Sequence, residues 1–408
     1  MTIRLEQECP QCGAPVELRD TDRLLRCPFC GVASVLSTPD CFRLALPLKS
    51  SSDSIVHVPY LHFKGSLFVC HGGNIDHRIV DTSRLALELS GLPLTLGMRP
   101  QAMKLRYAAP EMAGIFLGHT LTREAMLEEV NRRAMAAGSQ AEYHRVAIGE
   151  VVNIIYLPLV IDRDRLLDGV LDRPLPRMPE GFDTVLSSLH GALKWRLSFA
   201  ASICPKCGWN LAGERDSVAL TCANCHSLWE AEGGTLRQVR FSAVPSGEKN
   251  IMYLPFWRIR ARSGEGAIID SYGDFMRLTN QPRVARPEWG EQPMHFWSPA
   301  FKIRPGVFLN LASRLTVSQL AEGGERLPKE PLHPVTLAGS EAVQGLKLIL
   351  GDSALNKGDI LPLLPATRFE VLERSLVYLP FALTSHELVL RSILLSVNRK
   401  ALEYGRSL

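Results

Sequence analysis

The sequence predicts a β-rich α+β protein that is internally duplicated, each half a four-cysteine zinc ribbon followed by β units and a helix. Three observations carry this expectation. Eight of the ten cysteines fall in two C-x2-C-x14-C-x2-C clusters, and every cysteine of the second lies 195 residues after its counterpart in the first. Short motifs downstream of each cluster recur in the same order. The stretches between them alternate apolar and polar residues, with β-branched and aromatic enrichment, as half-buried strands do.

The clusters come first along the chain. Cys9, Cys12, Cys27 and Cys30 form one, and Cys204, Cys207, Cys222 and Cys225 the other. A C-P-x-C-G turn brings two sulfurs together, and the glycine suits a backbone with positive φ. Cys9 to Gly13, Cys27 to Gly31 and Cys204 to Gly208 have this form, whereas Cys222-Ala223-Asn224-Cys225-His226 lacks both Pro and Gly. Four thiolates fill a tetrahedral Zn2+ with no open position, so two structural zinc ions per chain are expected. A redox C-x-x-C or rubredoxin-like iron is the alternative that spacing leaves open. His226 is a competing ligand or a mere neighbour. Cys41 and Cys70 read as small buried hydrophobes.

The β units follow. Tyr60-Leu61-His62-Phe63 pairs with Tyr253-Leu254-Pro255-Phe256, and Lys104-Leu105-Arg106 with Lys302-Ile303-Arg304. Leu121-Thr122 pairs with Leu315-Thr316, and Tyr156-Leu157-Pro158-Leu159 with Tyr378-Leu379-Pro380-Phe381. The growing offset places about 28 extra residues between Leu327 and Arg368. Residues 151–161 and 375–383 read as strands, and prolines within them point to an edge or a bulge. Trp257 to Arg262 alternates apolar with basic, as a strand with one wet face should. Residues 121–137 read as a helix with Thr120 or Thr122 as its cap and Gly138 as its stop. Asp168-Gly169 and Asn398-Arg399 read as turns, and the proline-rich stretch 172–183 links the halves. The expected domains are a first ribbon (1–40), a first β-rich domain (41–175), a linker (176–200), a second ribbon (201–235) and a second β-rich domain (236–408).

Composition narrows function. Net charge is +4 over 408 residues, too mild by itself to indicate a nucleic-acid binder. No apolar run is long enough to span a bilayer, and the N-terminus does not read as a secretory signal, so a cytoplasmic location is expected. There is no phosphate loop, no G-x-G-x-x-G and no G-x-S-x-G elbow; His386-Glu387 begins like a zincin helix, but Leu390 stands where its second histidine belongs. Cys70 with His57, His62, His71, His77 and Asp76 is the one grouping that invites a catalytic or metal reading. Its alternative is decoration of a hairpin. Arg258, Arg260, Arg262, Arg283, Arg286, Lys302 and Arg304 interleave with Trp257, Trp289, Phe296 and Trp297, which would suit single-stranded nucleic acid if the rings were exposed.

The paired C-P-x-C-G knuckles, followed about 30 residues later by Tyr60 to Phe63 and Tyr253 to Trp257, resemble a loose group of uncharacterised bacterial zinc-ribbon proteins. These are often labelled TFIIB-type zinc ribbon or PriA-helicase-like on the ribbon alone. The likeness covers about half the chain; His62 and Lys64 depart from it, standing where the pattern has Pro and Trp. It implies partners in a membrane-stress assembly of the phage-shock type with an AAA+ protein. The expected function is therefore a non-enzymatic adapter that binds other proteins through β surfaces, with a nucleic-acid-binding ribbon protein as the alternative.

Overall fold

A computed structural model describes residues 2–38, 40–49, 52, 54–134, 141–163, 165–191, 193 and 195–408, with backbone alone at 131–134, 190 and 191. It is a mixed α+β, strand-rich structure. The first cluster lies among strands β1 (Arg4–Glu8), β2 (Pro15–Arg19), β3 (Leu24–Arg26) and β4 (Ala33–Ser37). Then come β5 (Phe42–Ala45), the long hairpin β6 (Ile55–His71) and β7 (Asn74–Leu85), β8 (Lys104–Tyr107), β9 (Ile115–Leu117), β10 (Glu142–Asp162) and β11 (Arg165–Asp168). They join in one sheet, ordered β9-β6-β10-β5-β8-β1-β2, with β7 on β6 and β11 on β10.

The second part follows a similar plan. Strand β12 (Ser198–Ala201) leads into the second cluster, which lies among β13 (Ala219–Cys222), β14 (Ser227–Glu232) and β15 (Thr235–Val239). The sheet beyond it comprises β16 (Phe241–Ala243), β17 (Ile251–Arg262), β18 (His295–Pro299), β19 (Glu370–Leu383), β20 (Glu387–Leu390) and β21 (Leu395–Asn398). β16 runs parallel to β19, as β5 does to β10. β17 and β20 run antiparallel to β19, as β6 and β11 do to β10.

The registers agree in detail. Tyr156 faces Ala45, and Tyr378 faces Ala243. Val160 faces Leu167, and Ala382 faces Val389, both partners 222 residues on. His57 lies beside Phe116 in a parallel pair, as Tyr253 does beside Leu332. These registers correct the motif pairing read from sequence. Pro59 faces Tyr156 and Pro255 faces Tyr378, so Val58-Pro59-Tyr60-Leu61 is the counterpart of Leu254-Pro255-Phe256-Trp257, and Tyr60 is not the counterpart of Tyr253. Likewise Lys104 to Arg106 lie in β8 while Lys302 to Arg304 precede the helix Pro305–Ser318. Leu121-Thr122 precede a helix, but Leu315-Thr316 lie inside one.

The extra length also lies elsewhere than expected. Ala86 donates to Pro59 and Ala300 to Pro255. Ala86 comes 26 residues after Tyr60 and Ala300 comes 44 after Phe256, so most of the difference in length between the two parts falls between β17 and β18, where the helix Tyr272–Leu278 sits.

The prolines are not at sheet edges. Pro158 lies in β10 after β5 ends at Tyr156 and before β11 begins at Leu159; Pro380 lies in β19 between Tyr378 and Ala382, where β16 hands over to β20. Pro59 falls between the contacts of β9 and β7 on β6. A residue without an N–H is tolerated in a central strand where one neighbour stops and the next has not started.

Other expectations resolve locally. The helix is Arg123–Ala134, capped by Thr122 Oγ1, which accepts from Ala125 N at 3.2 Å; its expected end at 135–138 lies outside the described residues. Asn398 is an N-cap, accepting from Lys400 N, not a turn. Within the stretch read as a linker, Phe182, Leu193 and Trp195 are buried in the first core. The alternation in Trp257 to Arg262 holds, with Trp257, Ile259 and Ala261 buried and Arg260 and Arg262 exposed. The second core also takes in Phe68, Cys70, Val146 and Ile148 from the first hairpin and β10, so the two halves share packing. Among the described residues no helix is long and apolar enough to cross a membrane.

Two buried histidines make a pH prediction. Burial holds His295 and His333 down to about 4. The unfolded chain takes up these protons near pH 6.5, whereas the folded chain resists them. Their stabilisation is complete above pH 6.5 and is lost as pH falls from there towards 4, by roughly 3 kcal/mol each. Urea midpoints measured from pH 7 to 5 should fall, and His333→Gln should flatten that slope; an unchanged slope would sink the assignment.

Candidate metal centres

Each cluster is assembled by two hairpin-like turns. In the first, Gly13 N donates to Cys9 O at 2.9 Å and Cys9 N to Ala14 O at 2.8 Å; Gly31 with Cys27, and Cys27 with Val32, repeat this at 3.1 and 2.9 Å. Gly208 and Cys204 do the same in the second. The φ angles of Gly13, Gly31 and Gly208 are 71°, 74° and 74°, the left-handed conformation in which a Cβ is penalised. The fourth turn places His226 at φ 48°. His226→Gly should therefore stabilise the second cluster by about 0.5–1 kcal/mol, the relief of a left-handed side chain less glycine's extra entropy. Slower metal loss to a chelator would check it; faster loss would count against it.

The sulfurs converge. Within each cluster all four lie within 4.8 Å of one another. Cys9 and Cys30 sulfurs are 3.7 Å apart, as are those of Cys12 and Cys27; Cys204 and Cys225 are at 3.6 Å, and Cys207 and Cys222 at 3.5 Å. A tetrahedron with metal–sulfur bonds of about 2.3 Å has edges of about 3.8 Å, so both clusters fit a metal ion. Local dipoles favour thiolate at Cys27 and Cys204, whereas Cys12 is raised to about 12 and burial raises Cys222 to about 11. The backbone N–H groups of Cys30 and Phe29 help hold Cys27 down to about 7. Burial opposes ionisation of Cys204, but the Ser227 hydroxyl and the N–H groups of Lys206 and Cys207 outweigh it and bring the thiol to about 6. His226 is exposed and is not one of the converging groups.

The two clusters do not stand apart. Strand β12 pairs antiparallel with β4, adding a strand to the first unit. Leu24 and Val35 of the first unit share a core with Cys204, Leu211, Leu220, Cys222 and Trp229 of the second. Arg23 N and Leu24 N both donate to Arg215 O, at 2.7 and 2.9 Å. Nothing in the sequence marks this contact, because β12 falls in a stretch whose composition reads as a connector.

The Cys70 grouping does not converge. His57 and His71 are fourteen residues apart on β6, roughly 45 Å at 3.3 Å per residue. Cys70 is buried in the second core, where burial pushes its thiol up to about 12. His57 stacks on Phe116, His62 meets Asp81 at 3.1 Å, and His71 meets Asp76 at 2.7 Å. Cys41 is half-buried, and its thiol is likewise raised by burial, to about 11.

The basic–aromatic stretch is dismantled too. Trp257, Phe296 and Trp297 are fully buried. Arg258 is tied to Glu322 at 2.7 Å and Arg262 to Glu370 at 2.7 Å. Arg286, over the half-buried Trp289 at 5.9 Å from its centroid, keeps the expected stacking character. No protein family, curated protein or solved structure matches the chain.

Proposed function

We propose that this chain is a non-enzymatic, zinc-binding adapter whose two zinc ribbons arose with their β units by internal duplication. The matching registers of β5, β6, β10 and β11 with β16, β17, β19 and β20 support duplication. All-sulfur coordination supports zinc, and a four-thiolate site leaves no position for substrate.

The observation that carries the adapter reading is where the exposed apolar side chains sit. Phe29, inside a knuckle of the first unit, is 69% exposed, and Trp209, directly after a knuckle of the second, is 59% exposed; Ile203 is exposed beside the same knuckle. Large rings held out on rigid, metal-fixed turns are what protein interfaces use as anchors, since little entropy is lost on binding. By contrast, Arg258 and Arg262, which would follow a phosphate backbone, are paired with carboxylates, and Trp257 and Trp297, which would stack on bases, lie in the core. An AAA+ or membrane-stress assembly is the partner class the family likeness implies.

The test is recovery of the tagged chain from its native host, with and without nuclease, beside a Phe29→Ala/Trp209→Ala variant. The same proteins should persist after nuclease and disappear from the variant, whose metal content should stay at two. Recovery of nucleic acid, with proteins lost on nuclease treatment, would move the assignment to the nucleic-acid reading.

A further inference from the structure

One cavity, of about 220 Å³, lies where both cluster units, the first sheet and the second half meet. Its lining includes Arg23, next to β3; Glu150, in β10; Asp216, ahead of β13; and Lys302, Thr336 and Glu341 from the second half. A second chamber of about 310 Å³ shares Arg23, Glu150 and Glu341 with it and reaches past Thr38 and Asp40. A polar void of this size holds several waters, or one small polar molecule.

Three of the charges lining it, Glu150, Asp216 and Arg406, are already paired. Arg123 binds Glu150, with Nε at 2.9 Å, and Arg406 grips Asp216 through two bonds of 2.8 and 2.6 Å. Three are not. Arg23 gives Nη1 to the backbone carbonyls of Asp20 and Asp22, which are neutral acceptors. Lys302 Nζ reaches only the Leu408 oxygen, at 3.4 Å. Glu341 has no side-chain ion pair within 4 Å among the described residues. Lys302 and Glu341 both line the cavity and feel each other's charge, but among the described residues they form no ion pair within 4 Å. Burial has pulled Lys302 down to about 8 and pushed Glu341 up to about 7.

Opposite charges that line one small cavity without pairing can be bridged by a molecule that carries both. We infer that this cavity binds a compact zwitterion of the α-amino-acid type, its carboxylate on Arg23 and Lys302 and its ammonium on Glu341. Thr336 Oγ1 accepts from Lys302 N at 2.9 Å, which leaves its O–H to donate to the ligand's carboxylate. Such a ligand touches the first cluster unit through Arg23 and the second half through Lys302 and Glu341, and its binding would fix their relative positions.

The experiment uses the full chain with its metal bound. Each of the twenty amino acids is screened by thermal shift at pH 7.5, with inorganic phosphate and acetate in parallel, and any hit is measured by calorimetry. At least one amino acid should raise the melting temperature and bind one per chain. Lys302→Met and Glu341→Gln should each weaken it by tenfold or more while metal content stays at two. Lys302→Met removes a buried charge whose hydrogen-bond acceptor among the described residues is the Leu408 oxygen, so the variant should fold. No shift with any amino acid overturns the proposal. So does a hit whose affinity survives both substitutions. Binding of phosphate or acetate but of no amino acid, or tighter binding in Glu341→Gln, would make this a simple anion site and overturn it equally.

Discussion

Cys204→Ser should remove one metal ion per chain and loosen both cluster units, not one. Binding at an all-sulfur structural site is worth roughly 10–16 kcal/mol in apparent terms, comparable with the whole stability of a domain, so a unit that loses it does not stay folded on its few apolar residues. Cys204 and Cys222 are also packing groups: they are buried together with Leu220, Trp229, and Leu24 and Val35 of the first unit. Disorder at Cys204 therefore uncovers the inner face of β3 and β4, and it frees β12, which is hydrogen-bonded along β4 from Ser198 to Ala201. Metal analysis should fall from two ions to one. Hydrogen exchange should rise across Ala219–Glu232 and also across Leu24–Ser37. Metal content that remained at two would refute the ligand set, and faster exchange confined to the second unit would refute the coupling.

Glu230→Ala should cost about 3–5 kcal/mol, an effect of a size usually seen only for core truncations. Glu230 stands on β14 of the second unit with its side chain 4% exposed. It accepts from Arg374 Nη2 at 2.8 Å and from Gly339 N at 2.7 Å, so one carboxylate ties the cluster unit to β19 and to the helix Gly339–Gln344. Alanine would leave the half-buried Arg374 charge and the buried Gly339 N–H without an acceptor, which is more costly than the intact pair is favourable. Arg374 also lies over the Trp257 ring, 5.1 Å from its centroid, and a Cβ on Gly339 would come within 2.4 Å of its guanidinium, so the arrangement leaves no room for relaxation. Glu230→Gln, which keeps an acceptor for Gly339, should lose less. Urea unfolding followed by tryptophan fluorescence would decide it; a loss below about 1 kcal/mol for the alanine variant would show that water takes over both bonds.

These two residues differ in how far the sequence announced them. Cys204 is legible from spacing alone, because a metal site requires four sulfurs on two short turns and such turns have a fixed length. Glu230 carries no signal. It is an ordinary acidic residue in an alternating strand, and its weight comes from Arg374, 144 residues away, and from a backbone N–H that no side-chain pattern reveals. Glu341 is equally silent in the sequence, and Lys302 drew notice there only for its charge, since what distinguishes them is a cavity lined by segments far apart in the chain.

The properties legible in the chain alone are local ones. They are the eight ligands and their two groups, the need for positive φ after three of the four knuckles, the wet and dry faces of Trp257 to Arg262, and the strand-rich character of each half. All of these follow from the chemistry of neighbouring residues and from the two-residue period of a strand. Which residues face each other is a different matter, settled by the packed fold. The Tyr-Leu motif aligns Tyr60 with Tyr253 when the two stretches are laid side by side, but the ladders align Pro59 with Pro255. A proline in a central strand must fall where its missing N–H leaves no acceptor unmet. The fusion of the two cluster units through β12, the burial of Cys70 and the scattering of the histidines along β6 belong to the same class. Each depends on contacts between segments far apart in the chain, and side-chain periodicity carries no information about which distant strand will supply the neighbour.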